Sequence, residues 1–502
     1  MERGQLGRGR EKLLSSAEIC RAKLVSEKTP VVARLPLLVV AILLGAATVF
    51  AAAVRFSDRL PISPWEPAIA MEGMRFNAGL PLYETGHATH MYGPLLTAFL
   101  AGIFRVTGLN LLAGRITFSI FSFALAVLLS AILCRGRGRK YWFIAFLLFL
   151  GVNFRTNLIF FSAQADCAAA FFAVAALCLW IARVDSWLRG GLAIALFVCA
   201  MLFKQTSAAF ALIPVVHALI WKRRFSDVVT SLIPAMSIFV ALAAIYMIWP
   251  QVFVCMVTVP ASIRVYYDRI LPISVYFLAT FPIFFVALFG SFFSRERPDE
   301  RERWIWSAIA VLVPVSIWTT CKSGGGYSSL LFGYLAMLAL VVVKLDSTWE
   351  WVVFQRGWRS VLAAIGVAVT ILFSFFIQFN RDLVLLFTRC GDEKYEAAVD
   401  HARRMPDRLI SPQDPTIAYR ASGYFGRSLF FELDAHAVNG DWPTELPDSL
   451  QRELAEAKYV VEVSSYVPTP MFERQLEKDH FYPMDVVALR GSAYTLWMRG
   501  PE

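Results

Sequence analysis

One glutamate and a set of isolated cations are the residues of this 502-residue chain whose types and positions could do chemistry. Glu66 directly precedes Pro67, at the predicted start of a helix. A carboxylate at a helix start gains about 0.3–1 kcal/mol from the helix dipole. A carboxylate held at a membrane face can also act as a general base or orient a substrate. The spacing supports both interpretations of Glu66 equally.

Polar side chains recur where apolar segments end. These residues are Arg155, Asp166, Lys204, Gln205, Arg264, Arg269 and Lys322. Cations and N–H donors at one membrane depth can bind a phosphate whose lipid tail lies in an apolar groove. The simpler interpretation of each cation is a side chain that reaches the membrane interface from its helix. For Asp166 we expect a cationic partner, and Arg155 is the candidate, because residues 153–157 form the preceding turn.

Two other groups give weaker signals. Tyr267 lies in a loop rich in tyrosine and charge, where an aromatic ring could stack on a sugar or anchor a helix at the interface. His87 and His90 are three residues apart and could share a metal, but no third ligand accompanies them. The sequence therefore predicts no metal and no cofactor, although it does not exclude a divalent ion.

The composition places these residues in a membrane protein. The chain is 57% hydrophobic and only 17% charged, whereas soluble proteins contain about 25% charged residues. These values exclude a large soluble enzyme, a disordered chain and a disulfide scaffold, and the eight cysteines form no CxxC motif. No nucleotide loop or nucleic-acid-binding motif is found, so we expect no nucleic-acid partner.

Apolar runs predict an all-α polytopic bundle of about 11 transmembrane helices. The predicted spans are about 35–54, 112–134, 141–153, 159–181, 188–203, 206–221, 228–249, 271–293, 304–320, 327–343 and 360–379. Together they form a transmembrane domain over residues 35–379.

The side of each loop follows from its basic residues. Five alternate loops downstream of residue 134 carry sixteen Lys and Arg, and the opposite loops carry five. Because short basic loops stay in the cytoplasm, we expect residues 1–34 to be a cytoplasmic tail. The short apolar segment 92–106 is then a juxtamembrane helix, and residues 55–111 form one long outer loop. This orientation assigns the chain to the cytoplasmic (plasma) membrane.

Residues 380–502 change composition and predict a small extracytoplasmic α/β domain. Helices are expected at 393–405 and 446–457, and strands at 459–463 and 494–498. About 120 residues are enough for a separate core.

The outer loop and several later motifs together resemble the GT-C glycosyltransferases. The resemblance is carried by Glu66, Gly79-Leu-Pro-Leu-Tyr83, Tyr92-Gly-Pro94, Arg115, Arg155 through Asp166, Leu202-Phe-Lys-Gln-Thr206 and Gly324-Gly-Gly-Tyr327. It covers about residues 35–345. The branch it resembles most includes protein O-mannosyltransferases, the aminoarabinose transferases of lipid A and RgtA/B/C/D-like bacterial enzymes.

The resemblance implies a function. Members of this group transfer a sugar from a polyprenyl-phosphate donor to an acceptor at the outer membrane face, and the first outer loop carries the key acid, often as an Asp-Glu pair. Here Trp65 stands where the Asp is expected and Glu66 where the Glu is. The resemblance therefore implies a catalytic Glu66, with Asp58 as a substitute for the missing Asp, and an inverting reaction. Arg115 would meet the acid of the loop.

Arg115 and the remaining polar residues would bind the substrates. The remaining residues are Arg155, Asp166, Lys204, Gln205, Arg264, Tyr267 and Lys322. The expected partners are a polyprenyl-phosphate sugar, an envelope acceptor and the lipid bilayer.

Two other functional classes stay open. A transporter or lipid flippase also needs many spans and polar residues, although repeated halves and acids in mid-span, which are typical of such proteins, are not evident. A non-catalytic partner in envelope assembly would agree with Trp65 as a sign of lost chemistry.

Overall fold

The computed structural model describes most of the chain between residues 31 and 501. The described residues are 31–57, 61, 63, 65–83, 91–156, 159–182, 186–280, 282, 284–285, 287, 297–323, 325–354, 358–376, 392–405, 408–436, 442–463 and 470–501. Asp58, His87, His90 and residues 1–30 of the predicted tail lie outside them.

The amino-terminal part is a bundle of helices. Its first helices are α1 (Val31–Ser57), α2 (Trp65–Asn77), α3 (Pro94–Thr107), α4 (Leu111–Leu133), α5 (Arg139–Gly151), α6 (Ala165–Ile181) and α7 (Trp187–Phe203). An irregular helical segment, 205–222, follows and contains α8 (Ile213–His217). The bundle continues with α9 (Phe225–Ile248), α10 (Pro250–Phe253), α11 (Val259–Ser262), α12 (Ile270–Thr280), α13 (Glu300–Thr320), α14 (Leu331–Phe354) and α15 (Trp358–Phe376).

The bundle is built to lie in a membrane. Five stretches of helix are long and apolar enough to cross a bilayer, and five further apolar helices of 10–17 residues accompany them within the described part of the chain. Helix α9 exposes large apolar side chains, such as Phe239 at 65% and Met247 at 80%. Exposed apolar surface of this kind is stable against lipid rather than water. The chain is therefore a multi-pass membrane protein.

The predicted spans correspond to these helices, with two differences. The predicted span 206–221 is a 3-10 helix, one α-helical turn and a π-helix rather than one regular helix. The predicted span 271–293 begins as α12 and is only partly described beyond Thr280. The total of 11 spans therefore stays a prediction.

Helices α2 and α3 form the first loop, as the sequence predicted. Gly79 ends α2 in a left-handed conformation with φ 66°, and the backbone N–H of Leu80 donates to the carbonyl of Arg75. Gly73 allows the two helices to pack closely, because a Cβ there would lie 3.2 Å from the Cβ of Leu100. The loop is thus a packed helical pair.

The carboxy-terminal part is a three-layer α/β domain. Its helices are α16 (Asp392–Arg403), α17 (Pro415–Ser422), α18 (Leu429–Ala435), α19 (Asp448–Glu456) and α20 (Pro470–Lys478). Its strands are β1 (Leu409–Ile410), β2 (Tyr459–Val463), β3 (Phe481–Pro483) and β4 (Tyr494–Arg499), in the order β1-β2-β4-β3.

Strand β2 lies at the centre of this domain. It runs parallel to β1 and antiparallel to β4. Val461 and Val463 join one apolar cluster and Val460 joins another, so both faces of β2 are covered. This double burial explains why the strand is apolar throughout except for Glu462, which accepts a hydrogen bond from Trp497 at 2.9 Å.

The domain packs on the first loop of the bundle. The rings of Trp65 on α2 and Phe430 on α18 lie 5.6 Å apart. Phe431 is 3% exposed and belongs to the apolar core of the bundle. The α/β domain therefore covers the end of the bundle at which α2 begins.

Candidate functional site

A buried ion pair joins the first loop to the bundle. The Arg115 guanidinium donates from Nη2 to Glu66 Oε2 at 2.7 Å and from Nε to Glu66 Oε1 at 2.9 Å. Neither side chain is exposed. Arg115 also donates to the carbonyl of Arg55 on α1, at 3.1 Å. The predicted meeting of Arg115 with the acid is thus present, as a two-point pair that fixes the start of α2 between α1 and α4.

The loop before α6 is hydrogen-bonded to the same carboxylate. The backbone N–H of Ala163 donates to Glu66 Oε1 at 3.4 Å, and Gln164 Nε2 donates to the Ser63 hydroxyl at 3.3 Å. Asp166 follows three residues after Ala163, in the first turn of α6. Glu66 is therefore hydrogen-bonded to the short loop that leads into Asp166.

A second ion pair lies next to the first. Lys204 Nζ donates to Asp166 Oδ1 at 2.5 Å, and the side chains are 11% and 4% exposed. The ammonium lies 5.6 Å from the centre of the Tyr92 ring. Gln205 Nε2 donates to the carbonyl of Met91 at 2.9 Å. The sequence paired Asp166 with Arg155, but the ion pair in the structure is with Lys204.

Gly93 brings Tyr92 to this pair. A Cβ at Gly93 would lie 1.9 Å from the carbonyl oxygen of Leu202, at the end of α7. Only glycine allows such a close approach, which explains the Tyr-Gly-Pro motif. The chain before α3 therefore packs directly on the residues that precede Lys204.

Phenylalanine rings form an apolar floor below the two pairs. Phe172 stacks on Phe203 with ring centres 5.4 Å apart, and Phe121 lies 5.6 Å from Phe172. Phe99 and Phe118 join the same group, with centres 5.7 Å apart. A floor of this kind excludes water and strengthens the charge interactions above it.

Glu72 is a candidate that the sequence analysis missed. It lies on α2, is 7% exposed, and burial raises its pKa from 4.5 to about 7, although Arg75 opposes the rise. The nearby Tyr83 hydroxyl donates to the carbonyl of Tyr92 at 3.1 Å, which links this side of α2 to Lys204. The available signal was an acid set among small apolar residues directly before Gly73.

Acidic residues of the α/β domain cover the start of α2. Burial raises the pKa of Asp414 to about 7 and that of Asp434 to about 6. The Asp414 carboxylate caps α17 through Thr416, and the nearby charge of Glu66 raises its pKa further. Asp434 accepts a hydrogen bond from Trp442 Nε1 at 2.9 Å and another from Trp65. Trp65 is thus part of the contact between the domain and the loop.

Arg155 lies against a different helix. Its guanidinium donates to the carbonyl oxygens of Phe373, at 3.0 Å, and Ser374, near the end of α15. The side chain is 1% exposed. These bonds indicate an arginine that holds α15 to the bundle.

Arg264, Tyr267 and Lys322 form a separate group. Val265 pairs with Lys322 in a short β-bridge, and Lys322 Nζ donates to the carbonyl of Pro260 at 2.6 Å. Arg264 lies over the Tyr266 ring at 5.3 Å. Tyr267 is 69% exposed and contacts Trp318 edge-on at 5.8 Å. These residues are held by contacts among two loops, so the predicted residues that the structure brings together are Glu66, Arg115, Asp166, Lys204 and Gln205.

Metal ligands do not cluster in the part of the chain that the structure describes. No group of three His, Cys, Asp or Glu residues there could hold a metal ion.

Comparisons with known proteins identify the fold. No family model and no characterised protein sequence matches the chain. Among solved structures, ArnT from Cupriavidus metallidurans bound to undecaprenyl phosphate has a TM-score of 0.53 at 13% identity, over 92% of this chain and 99% of that chain. The apo state of the same protein gives 0.52 at 16% identity over the same shares. Archaeal oligosaccharyltransferase AglB from Archaeoglobus fulgidus, in complex with an inhibitory peptide and a dolichol-phosphate, gives 0.50 at 12% identity over 88% and 72%. The chain therefore has the GT-C fold, which confirms the resemblance seen in the sequence.

Proposed function

We propose that this protein is a membrane glycosyltransferase that transfers a sugar from a polyprenyl-phosphate donor to an acceptor of the cell envelope. The observation that supports this most is the meeting of two buried ion pairs, Glu66–Arg115 and Lys204–Asp166, under one domain at one end of the bundle. Two proteins of the same fold were solved with a polyprenyl phosphate or a dolichol-phosphate, which supports this donor class.

Lys204 is the cation that we place against the donor phosphate. Its ammonium retains two donors beside the one given to Asp166, and the phenylalanine floor below offers an apolar path for the lipid chain. Asp166 holds the ammonium in place and compensates its charge when no donor is bound. Gln205 supports this region through Met91.

Two carboxyl groups on α2 are candidates for the base. Glu66 is the candidate from the sequence, but it is fully buried and both of its oxygens are bonded to Arg115, so it can take a proton only if the pair opens. Glu72 has a pKa of about 7, close to the value that suits a general base at neutral pH. We therefore place Glu72 as the base and Glu66 as the residue that positions α2 through Arg115.

The reaction would proceed as follows. The acceptor hydroxyl or amine attacks the anomeric carbon, and its proton passes to the Glu72 carboxylate. The bond between that carbon and the phosphate oxygen breaks, and the electron pair leaves with the polyprenyl phosphate, close to Lys204. Attack opposite the leaving phosphate inverts the anomeric centre. Positioning and charge stabilisation would supply most of the rate.

We propose that the site faces the outside of the cytoplasmic membrane. The distribution of basic residues supports this orientation, because short basic loops stay in the cytoplasm and the long first loop and the α/β domain would then lie outside. The domain would then close the site toward the acceptor, and the lipid donor would enter from the bilayer.

Transfer from a radiolabelled donor tests the proposal. The full chain is reconstituted in vesicles with a panel of polyprenyl-phosphate sugars and an envelope-lipid extract. Lys204→Gln should lower transfer at least a hundredfold, whereas Lys344→Gln is the matched control. Lys344 makes a comparable 2.6 Å pair with Glu302, in which the side chains are 13% and 15% exposed. Equal activity of the two variants would contradict the proposed donor site. Vesicle transport of the lipid without sugar transfer would instead indicate a flippase.

A further inference from the structure

A cavity of about 970 Å³ lies at the end of the bundle remote from Glu66 and Lys204. Its wall includes the last turns of α4 and α6 and the first turns of α9 and α13. Arg115 and Leu133 are 18 residues apart on α4, which corresponds to about 27 Å along the helix. The cavity is therefore distinct from the proposed transfer site.

The interior of the cavity is apolar. Leu129, Val174, Phe210, Leu312 and Leu335 line it, each from a different helical segment. Such a lining suits a hydrocarbon chain and offers little to a water-soluble ligand.

The mouth of the cavity is cationic. Arg135, Lys222, Arg224 and Arg301 line it together with two acids, Asp227 and Glu300. Lys222 is 3.0 Å from Glu300 and is largely neutralised by it. Arg301 donates to the carbonyl of Leu133 at 2.9 Å. Arg135 and Arg224 make no side-chain ion pair within the described ranges, so they can receive an anion.

Two polar aromatic side chains, His217 and Trp221, also line the cavity. The His217 side chain is 2% exposed, stacks on Trp304 with ring centres 3.7 Å apart, and has its Nε2 3.3 Å from Glu300 Oε1. Trp221 Nε1 is buried and makes no hydrogen bond to any described residue. A buried donor of this kind normally has a partner, so a ligand that accepts a hydrogen bond here would satisfy it.

We propose that this cavity binds an anionic glycerophospholipid of the adjacent membrane leaflet. The phosphate would lie between Arg135 and Arg224, the ester oxygens would accept hydrogen bonds near His217 and Trp221, and an acyl chain would fill the apolar interior. The three parts of such a lipid match the three kinds of lining: the phosphate suits the arginines, the ester oxygens suit the buried Trp221 donor, and the acyl chain suits the apolar side chains. A polyprenyl phosphate has no carboxylic ester oxygen for Trp221 and fits less well.

Lipid binding to the purified full chain tests this proposal. Native mass spectrometry would compare phosphatidylglycerol, phosphatidylcholine and undecaprenyl phosphate as probes. The double variant Arg135→Gln, Arg224→Gln should weaken phosphatidylglycerol binding at least tenfold. The matched control Arg139→Gln, Arg223→Gln removes the same charge from neighbouring positions outside the cavity lining and should change binding less than twofold.

A second pair of variants tests the interior. Ala308 lines the cavity, whereas Ala310 is exposed on the same helix and lies outside the cavity lining. Ala308→Phe should abolish phosphatidylglycerol binding and Ala310→Phe should preserve it. Equal losses in the two arginine pairs, or equal binding of phosphatidylcholine, would overturn the proposal. Preference for undecaprenyl phosphate would also overturn it and would indicate a second prenyl-lipid site.

Discussion

Breaking the Glu66–Arg115 pair should destabilise the protein strongly. Glu66→Gln leaves the Arg115 guanidinium fully buried and removes the negative charge of its two-point partner. Removing one partner of a buried ion pair costs about 3–5 kcal/mol, because the remaining charge is uncompensated. Arg115→Met should cost a similar amount, since it removes both guanidinium hydrogen bonds from the buried Glu66 carboxylate.

The double variant separates charge from packing. Glu66→Gln combined with Arg115→Met removes both charges, so its loss should be smaller than the sum of the single losses by about 2 kcal/mol or more. The control pair Glu302→Gln, Lys344→Met should show a smaller coupling than Glu66 and Arg115, because both of its side chains keep some contact with solvent, whereas Glu66 and Arg115 keep none.

A thiol-reactive fluorescent dye measures this in detergent once accessible thiols, including the partly exposed Cys178, Cys199 and Cys255, have been blocked in the folded protein. The buried Cys134, Cys167 and Cys321 then report unfolding. Unfolding is followed against a denaturing detergent at constant temperature. The reasoning would be refuted if Glu66→Gln unfolded at the wild-type midpoint. Strictly additive single losses would show that the two residues do not interact.

Three other changes test the site and its cover. In the wild type we expect kcat/KM to rise with pH through about 7. Glu72→Gln should lower kcat/KM at least a hundredfold and remove this rise. An unchanged pH profile would exclude Glu72 as the base. Asp414→Asn should be more stable than wild type at pH 8 by up to about 4 kcal/mol and equal to it near pH 4. The pKa of the Asp414 carboxyl rises from 3.8 to about 7 on folding, so this group destabilises the folded protein as the pH rises through that range. Parallel pH–stability curves of the two proteins would contradict this. Gly93→Ala should reduce transfer tenfold or more, because a Cβ would collide with the Leu202 carbonyl and displace Tyr92 from Lys204, whereas Gly102→Ala, with open space around it, should have little effect.

Hydropathy predicted the bundle well, because a bilayer requires every spanning segment to be apolar and to satisfy its own backbone hydrogen bonds. Helices α4, α7 and α9 begin and end within a few residues of their predicted positions. The irregular structure of segment 205–222 was not predicted, since apolar content does not distinguish α-helix from 3-10 or π-helix. In the α/β domain, β2 and β4 were predicted, whereas the two-residue β1 is too short to show a pattern.

The site was less predictable, because side-chain partners depend on how helices pack. Arg115 and Glu66 are 49 positions apart, and their contact was expected only from the family resemblance. Asp166 was assigned to Arg155, its neighbour in sequence, but its partner Lys204 comes from a helix end 38 positions away. Glu72 shows the same limit, since its pKa of about 7 results from burial that the sequence does not reveal.

The first two residues of α2, Trp65 and Glu66, contact two different parts of the protein. The family resemblance expects an aspartate at this position, and a tryptophan there could indicate lost chemistry. In the structure, the Trp65 ring contacts Phe430 and its N–H bonds to Asp434, so the residue anchors the α/β domain. Glu66, the next residue, anchors α2 to the bundle through Arg115. Because the start of α2 is held from both sides, Glu72, two turns further along the same helix, has a fixed position in the first loop. A tryptophan at position 65, where the resemblance expects an aspartate, therefore agrees with an active site whose base lies further along α2.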